Sequence, residues 1–250
     1  MDQVWTYMVL PYVLVLARVS GFMIIAPIFS LSIVPAVVRI SLALLLAVSF
    51  AGLVPGGNTM PPQNWVAAIV ILGKEITIGF SIGLAGRLVY QAVQQAGVML
   101  AQQMGLTDAE VIDPVGGEES ESIATLLEMT FAVLFLVAGG HQLLLSSLMG
   151  SYKVFHVAGN LDVGMMANAI VSAGSTMMLL AMKLAAPAMA AFFVLSIVLA
   201  FLARILPDMN ILFESYPLRM GLGVGIAAAM LPSLNNFTDE FALWLHTAFT

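Results

Sequence analysis

The sequence predicts an all-α, polytopic membrane protein of long, bent helical hairpins that forms part of a larger helical assembly. Of its 250 residues, 61% are hydrophobic and only 9% are charged, whereas soluble domains have roughly 45–50% apolar and about 25% charged residues. Uncharged stretches of bilayer-spanning length cover residues 19–38, 40–73, 88–107, 129–152, 163–182, 184–203 and 220–238. They lack the two-residue alternation of a membrane β-barrel, so we expect spanning helices.

Composition also excludes several classes of protein. So few charged residues could not cover the surface of a soluble enzyme. The net charge of −6 disfavours nucleic acid as a partner, because DNA binding needs clustered lysine and arginine residues. The absence of cysteine excludes disulfides, thiolate catalysis and Cys-ligated metals. The amino terminus lacks the basic segment of a signal peptide, so we expect a retained first helix. No shift in composition divides the chain, which predicts a single membrane domain over residues 1–250.

Proline and glycine separate six predicted helices. The first helix ends before Pro27, the second begins after Pro35, and residues 55–62 end the second. The turn at Asp113-Pro114 separates the third from the fourth, Gly159-Asn160 ends the fourth, and Pro207 separates the fifth from the sixth. In chain order the predicted helices cover residues 3–26, 36–53, 65–104, 122–150, 162–206 and 217–248.

Two of these helices are too long for one bilayer. Residues 65–104 would extend about 60 Å, against a hydrocarbon core of about 30 Å, and residues 162–206 would extend further still. Each is either a tight pair of spans or a long, bent helix packed against protein. We favour the second, because residues 83–87 and 183–187 contain no polar turn. The Gly79-xxx-Gly83 and Gly221-xxx-Gly225 spacings predict close helix packing, either within the chain or between subunits.

Charged residues interrupt the apolar stretches. A Lys or Arg at the centre of a span costs roughly 2.5–3.5 kcal/mol, so we expect these side chains to be paired and to face protein or water. One alternative is a proton or ion pathway; the other is contact near helix ends or with carboxylates of another subunit. We favour contacts, because no base has an acidic residue four positions away within the same predicted helix. The residues expected at helix or subunit contacts are Arg18, Lys74, Glu75, Glu128, Lys183 and Arg204.

An acidic segment lies between the third and fourth helices, since residues 108–128 hold seven of the 14 acidic residues. Asp113-Pro114 followed by Val-Gly-Gly is typical of a turn, which predicts a solvated connection. Asp108, Glu110 and Asp113 could instead supply oxygen ligands, but the Ca²⁺-loop pattern is absent. The chain also lacks an H-E-x-x-H, G-x-S-x-G or phosphate-loop motif. We therefore predict no catalytic, cofactor-binding or metal-binding residues.

Four stretches, in order, are similar to those of one known family. The first runs from Arg18 to Ser30 and continues to Val34-Pro35 and Arg39. The second, Gln102-Gln-Met-Gly105-Leu-Thr-Asp-Ala-Glu-Val-Ile-Asp113-Pro114, is the most specific. The others are Phe135 to Leu143, and Ala186-Pro187 followed by residues 202–210 and 216–218. Together they resemble the FliR family, membrane subunits of the export gate in bacterial flagellar type III secretion, over residues 11–232.

The resemblance implies a non-enzymatic subunit in the bacterial inner membrane, at the flagellar basal body. Family members assemble with FliP-like and FliQ-like membrane subunits and with an FlhB-like export switch protein into a helical channel for unfolded flagellar export substrates, without nucleic acid. A family subunit resembles a fused FliP-like and FliQ-like pair, which suits the overlong helices. Virulence secretion systems share this architecture, but the resemblance favours the flagellar type.

In this family the Q-M-G…D-P segment forms a plug that closes the channel. By position, the plug here comprises Gly105, Leu106, Thr107, Asp108, Ala109, Glu110, Val111, Ile112, Asp113 and Pro114. The family's segment is mostly small and apolar, so Asp108 and Glu110 imply a partly electrostatic seal.

Two other functions are alternatives to an export subunit. A small-solute or ion transporter would use the charges of Glu75, Glu128 and Lys183, and would carry out flux without partners. An intramembrane enzyme has no supporting constellation of residues in the sequence.

Overall fold

The structure, a computed structural model, describes residues 9–30, 34–52, 64–105, 122–159, 162–206 and 211–249. Within these ranges the regular elements are α-helices and no β-strand occurs, which confirms the all-α prediction. The helices are α1 (Leu10–Ile25), α2 (Ala36–Ala51), α3 (Trp65–Met104), α4 (Ser122–Val137), α5 (Gly140–Val154), α6 (Val163–Ile205) and α7 (Ile211–Phe249).

Local sequence explains where several helices begin and end. Pro11 lies in the first turn of α1, where its missing N–H costs nothing, and α1 ends before Ala26, whose extended backbone suits the residue before a proline. Pro35 precedes α2. The Asp162 carboxylate accepts a hydrogen bond from Met165 N (3.0 Å) and so caps the start of α6.

The prediction of one helix over residues 122–150 is wrong, because the helix is interrupted at Ala138-Gly139. Gly139 has φ +79°, a left-handed conformation that ends α4 and precedes α5. The prediction followed the apolar run and missed that one glycine in it leaves the helical conformation. By contrast, α3 and α6 are single continuous helices, of about 60 and 64 Å, so neither is a pair of spans.

Three helical segments of the described chain are long and apolar enough to cross a membrane: α3, α6 and residues Ser215–Leu234 of α7. A fourth span results if Thr125–Val137 and Gly140–Val154 together count as one broken span. The chain is therefore a polytopic membrane protein.

The contacts of the chain divide it into two compact units. Unit 1 comprises Met1–Val89, Gly139–Ser175 and Phe241–Thr250, and unit 2 comprises Tyr90–Ala138 and Thr176–Glu240. The single domain expected over residues 1–250 stays a prediction, since this division concerns contacts alone.

Unit 1 is built around α1, which packs along α2 and against α3. Val19 and Phe22 of α1 are fully buried, and Phe50 of α2 meets Tyr152 of α5 edge to face, with ring centroids 6.4 Å apart. These contacts place one face of α1 in the interior of the unit.

Unit 2 has an aromatic core. The fully buried ring of Phe131 on α4 lies 5.1 Å from Tyr90 of α3 and 5.0 Å from Phe237 of α7, measured between centroids. Phe135 completes the cluster from the next turn of α4. Rings at these distances contribute roughly 0.5–1.5 kcal/mol per pair beyond the area that they bury.

Candidate functional site

Arg18 and Glu75 form a buried ion pair in unit 1. The Nε of Arg18 donates to Oε2 of Glu75 at 2.6 Å, and both side chains are almost completely buried. Each remaining guanidinium nitrogen has its own acceptor: Nη1 donates to the Ser151 hydroxyl (3.2 Å) and Nη2 to the Phe155 carbonyl oxygen (2.9 Å). The Tyr152 ring lies 4.1 Å from the guanidinium carbon. This arrangement connects α1, α3 and the end of α5.

The Glu75 carboxylate is used on both oxygens. While Oε2 pairs with Arg18, Oε1 accepts a hydrogen bond from Ala158 N at 2.9 Å. The turn after α5 is thereby attached to α3. A buried carboxylate with this set of partners is a structural element of unit 1.

Small residues let α1 and α3 approach closely enough for this pair to form. A Cβ added to Gly79 would overlap the carbonyl oxygen of Arg18, and a Cβ on Gly21 would overlap that of Ile76. Gly83 likewise faces α1, at Phe22 and Ile25. The Gly79-xxx-Gly83 spacing therefore serves packing within the chain, whereas added Cβ atoms on Gly221 and Gly225 would meet open space.

Lys183 and Glu240 form a second ion pair, in unit 2. The Nζ of Lys183 on α6 lies 3.2 Å from both carboxylate oxygens of Glu240 on α7. Their side chains are 58% and 46% exposed, respectively. Arg18 and Lys183 therefore each have a carboxylate partner within the chain, and their expected place at helix or subunit contacts stays a prediction.

The remaining charges expected at contacts lie at varied depths. Lys74 on α3 and Glu128 on α4 are half-buried, and Arg204, in the last turn of α6, is exposed. Outside this set, Arg39 and Arg87 hydrogen-bond near the turn after α1, to the Val34 carbonyl oxygen (3.1 Å) and the Ser30 hydroxyl (2.9 Å).

Gly105 is the one residue of the predicted plug that the structure describes; Leu106 to Pro114 lie outside the described residues. It follows the last residue of α3, is buried and has φ +78°, so the helix ends there. Arg219 of α7 supports this end, because its Nη1 donates to the Gln103 carbonyl oxygen at 3.1 Å. No local sequence pattern indicates this contact, since the two residues are 116 positions apart in the chain.

Among the residues that the structure places, no group of three or more His, Cys, Asp or Glu side chains could hold a metal ion. Asp108, Glu110 and Asp113, the oxygen ligands considered from the sequence, lie outside those residues.

Comparison with known sequences decides the family. The sequence profile of the family described as "Bacterial export proteins, family 1" matches residues 9–243, nearly the whole chain. The chain belongs to this family.

Several members of this export family have curated names. The flagellar biosynthetic protein FliR of Pectobacterium carotovorum subsp. carotovorum is 28% identical over 230 residues, which cover 92% of this chain and 86% of that protein. The FliR of Bacillus subtilis is 30% identical, with 84% and 82% covered. The Yop proteins translocation protein T of Yersinia pestis is 27% identical over 156 residues, with 62% and 60% covered. These matches confirm the FliR resemblance.

Family membership and helix length together give the location of this export protein. Three of its described helical segments can cross a bilayer, and its family comprises bacterial export proteins. It is a protein of the bacterial inner membrane.

Proposed function

We propose that the chain is a non-enzymatic membrane subunit of a flagellar type III protein export gate, where it forms part of the channel wall. The observation that carries this proposal is the family match over residues 9–243. The flagellar relatives are 28% and 30% identical over 92% and 84% of the chain, whereas the surface presentation of antigens protein SpaR of Shigella flexneri is only 23% identical over 93% of it, which favours a flagellar system. Unfolded flagellar proteins are the expected substrates.

The lengths of α3 and α6 support assembly with other membrane subunits. At about 60 and 64 Å, both helices exceed the roughly 30 Å hydrocarbon core by about twofold. Apolar side chains are exposed at both ends of α6, as at Val163 (65%) and Ile205 (72%). Lipid cannot cover both ends, so neighbouring proteins must. FliP-like and FliQ-like subunits are the proposed neighbours, with an FlhB-like protein docked on the complex.

The charged residues that are not buried within the chain belong to these proposed contacts. Lys74, Glu128, Lys183 and Arg204 retain exposed or half-exposed side chains on helices that are otherwise apolar. A neighbouring subunit would remove these side chains from lipid and add polar contacts to those that they already make.

A plug formed by Gly105 to Pro114 is the proposed closing element of the gate. The left-handed Gly105 and the Arg219–Gln103 hydrogen bond support this role, because they end α3 at the residue where the segment begins. Irregular backbone is tolerated at membrane depth when it lines a water-filled lumen. Asp108 and Glu110 make the seal partly electrostatic.

Deleting residues 105–114 is expected to make the assembled complex permeable to small ions, because the lumen loses its closing segment. Membrane conductance of the purified complex in planar bilayers measures this. A triple change, Glu118→Gln, Glu119→Gln and Glu121→Gln, is the control, since it removes charge from the same connection beyond the plug. Conductance that stays at the wild-type level after the deletion contradicts the plug role.

The contacts of the charged residues do not favour a small-solute transporter. Glu75 is buried, with both oxygens engaged, and Lys183 already contacts Glu240. A transport pathway needs charged groups that can exchange partners during a cycle, whereas Glu75 and Lys183 each have a defined partner within the chain.

A further inference from the structure

The Lys183–Glu240 ion pair has unused hydrogen-bonding capacity on its open side. An ammonium has three donors and a carboxylate about four acceptor positions, so the contacts between the two side chains do not exhaust either group. Both side chains are about half exposed. The pair is neutral overall, so a further charge placed beside it would lack a counter-charge.

A groove in unit 2 runs beside this pair, between α6 and α7. Its volume is about 200 Å³, below the roughly 300–1,000 Å³ of sites for small molecules, and it suits a single side chain. The apolar wall is formed by Leu180, Leu184, Pro187 and Phe237. The polar edge consists of the ion pair and Ser233, whose hydroxyl donates to the Met230 carbonyl oxygen at 2.6 Å.

The position of Lys183 along α6 requires protein next to this helix. Twenty uncharged residues precede it, at 163–182, and twenty follow it, at 184–203; each half is about 30 Å long, the thickness of one hydrocarbon core. With Lys183 at mid-membrane, the half-exposed pair would face lipid. With Lys183 at the membrane surface, one apolar half would face water. Either placement leaves a surface that only protein can cover.

We infer that this groove receives one side chain from a helix of a neighbouring membrane subunit, with an apolar stem and a neutral hydrogen-bonding end. The stem contacts the apolar wall, and the neutral end, such as an amide or a phenolic hydroxyl, bonds to Lys183 and Glu240. A buried anchor of this kind is typical of the centre of a subunit interface. The inference rests on the proposed function, because it requires an assembly.

The first experiment measures the fraction of the chain that is incorporated into the complex, by native mass spectrometry of co-expressed membrane subunits. Lys183→Met and Glu240→Gln are each expected to lower that fraction at least fivefold, because each leaves one buried charge at the interface. The exchanged pair, Lys183→Glu with Glu240→Lys, is expected to restore it to within twofold of wild type, since a neutral end accepts either polarity. Lys153→Met, at an exposed base in the last turn of α5, is the control and leaves the fraction unchanged.

Each outcome of this experiment is informative. Single variants that assemble like wild type overturn the groove as a docking site. If the exchanged pair is incorporated as poorly as the single variants, the partner side chain is charged, and the inference of a neutral end is overturned. A wild-type chain that joins no membrane subunit contradicts the proposed function itself, whereas normal wild-type assembly with unaffected variants contradicts only this inference.

A second measurement covers the case in which the variants fold poorly. Because the chain has no cysteine, Ser233→Cys can carry a photoreactive maleimide at the groove of the complete complex. It is expected to cross-link to a helix of one identified subunit, and Lys183→Met should reduce that product severalfold. Ser196 lies about 140° around α6 from Lys183, so Ser196→Cys is the matched control. The amount of its cross-linked product should not change when Lys183→Met is added. Cross-linking to lipid alone, or a Ser233→Cys product insensitive to Lys183→Met, overturns the inference.

Discussion

Arg18 is the residue at which three segments of unit 1 meet. Its guanidinium donates to Glu75 of α3, to Ser151 of α5 and to the Phe155 carbonyl oxygen, and it contacts the Tyr152 ring. The rigid, planar arrangement of donors in arginine suits several fixed acceptors, and a lysine offers only a compact point charge. The residue is therefore required for its geometry as well as its charge.

At this residue scale, Arg18→Met is expected to lower the free energy of unfolding by about 3–5 kcal/mol, because it leaves the Glu75 carboxylate buried without its cation. Arg18→Met combined with Glu75→Leu should lower the free energy of unfolding by less than the sum of the two single changes. Denaturant unfolding in detergent micelles provides the measurement. Lys153→Met, at an exposed position, is the control. If Arg18→Met unfolds like that control, the pair does not stabilise the unit.

Local sequence pattern could not reveal either ion pair. In both, the partners are 57 positions apart on different helices, whereas sequence reasoning could inspect only carboxylates within a helical turn of each base. The pattern did indicate that Arg18 and Lys183 need partners. Which carboxylate serves each base depends on how the helices pack, and the composition of one helix does not contain that information.

At the scale of the elements, two pairs of glycines with identical spacing have different roles. Gly79 and Gly83 face the backbone and side chains of α1, so α1 and α3 pack at close range. Gly221 and Gly225 on α7 are exposed, with open space where a Cβ would lie. Spacing alone predicted close packing for both pairs, and the structure supplies it within the chain for the first.

Gly79→Ala is expected to destabilise the protein by about 1–3 kcal/mol, because its Cβ would overlap the Arg18 carbonyl oxygen and force α1 away from α3. Gly225→Ala is the matched control, expected to be neutral or to stabilise α7 by up to about 1 kcal/mol through helix propensity. Thermal unfolding of the purified chain measures both. Equal effects of the two substitutions would show that α1 and α3 are not in close contact.

The extent of the helices was predictable where an apolar stretch ends at glycine followed by charged residues. Helix α3 was expected over residues 65–104 and occupies Trp65–Met104, since its apolar run stops at a glycine followed by acidic residues. The break at Gly139 was missed, because Gly139 and Gly140 lie within an apolar run and only one of them leaves the helical conformation. Helix α7 begins earlier than expected, with Pro217 and Pro232 inside it.

At the scale of the whole molecule, the apolar surface exceeds what one bilayer can cover. The described helices α3 and α6 are about twice the length of a hydrocarbon core. The family match over residues 9–243 explains this excess helix length, because an export protein functions among other subunits that can cover it. The plug residues from Leu106 to Pro114 remain a prediction from the resemblance, because they lie outside the described residues.

The mass of the complex purified from membranes, with the neighbouring membrane subunits co-expressed, tests the central claim most directly. We predict a stable hetero-oligomer that contains this chain, because α6 exposes apolar residues along a length that lipid cannot match. Native mass spectrometry gives both the mass and the composition. A chain that is stable and remains a monomer in the presence of those subunits would contradict the assignment as an export-gate subunit.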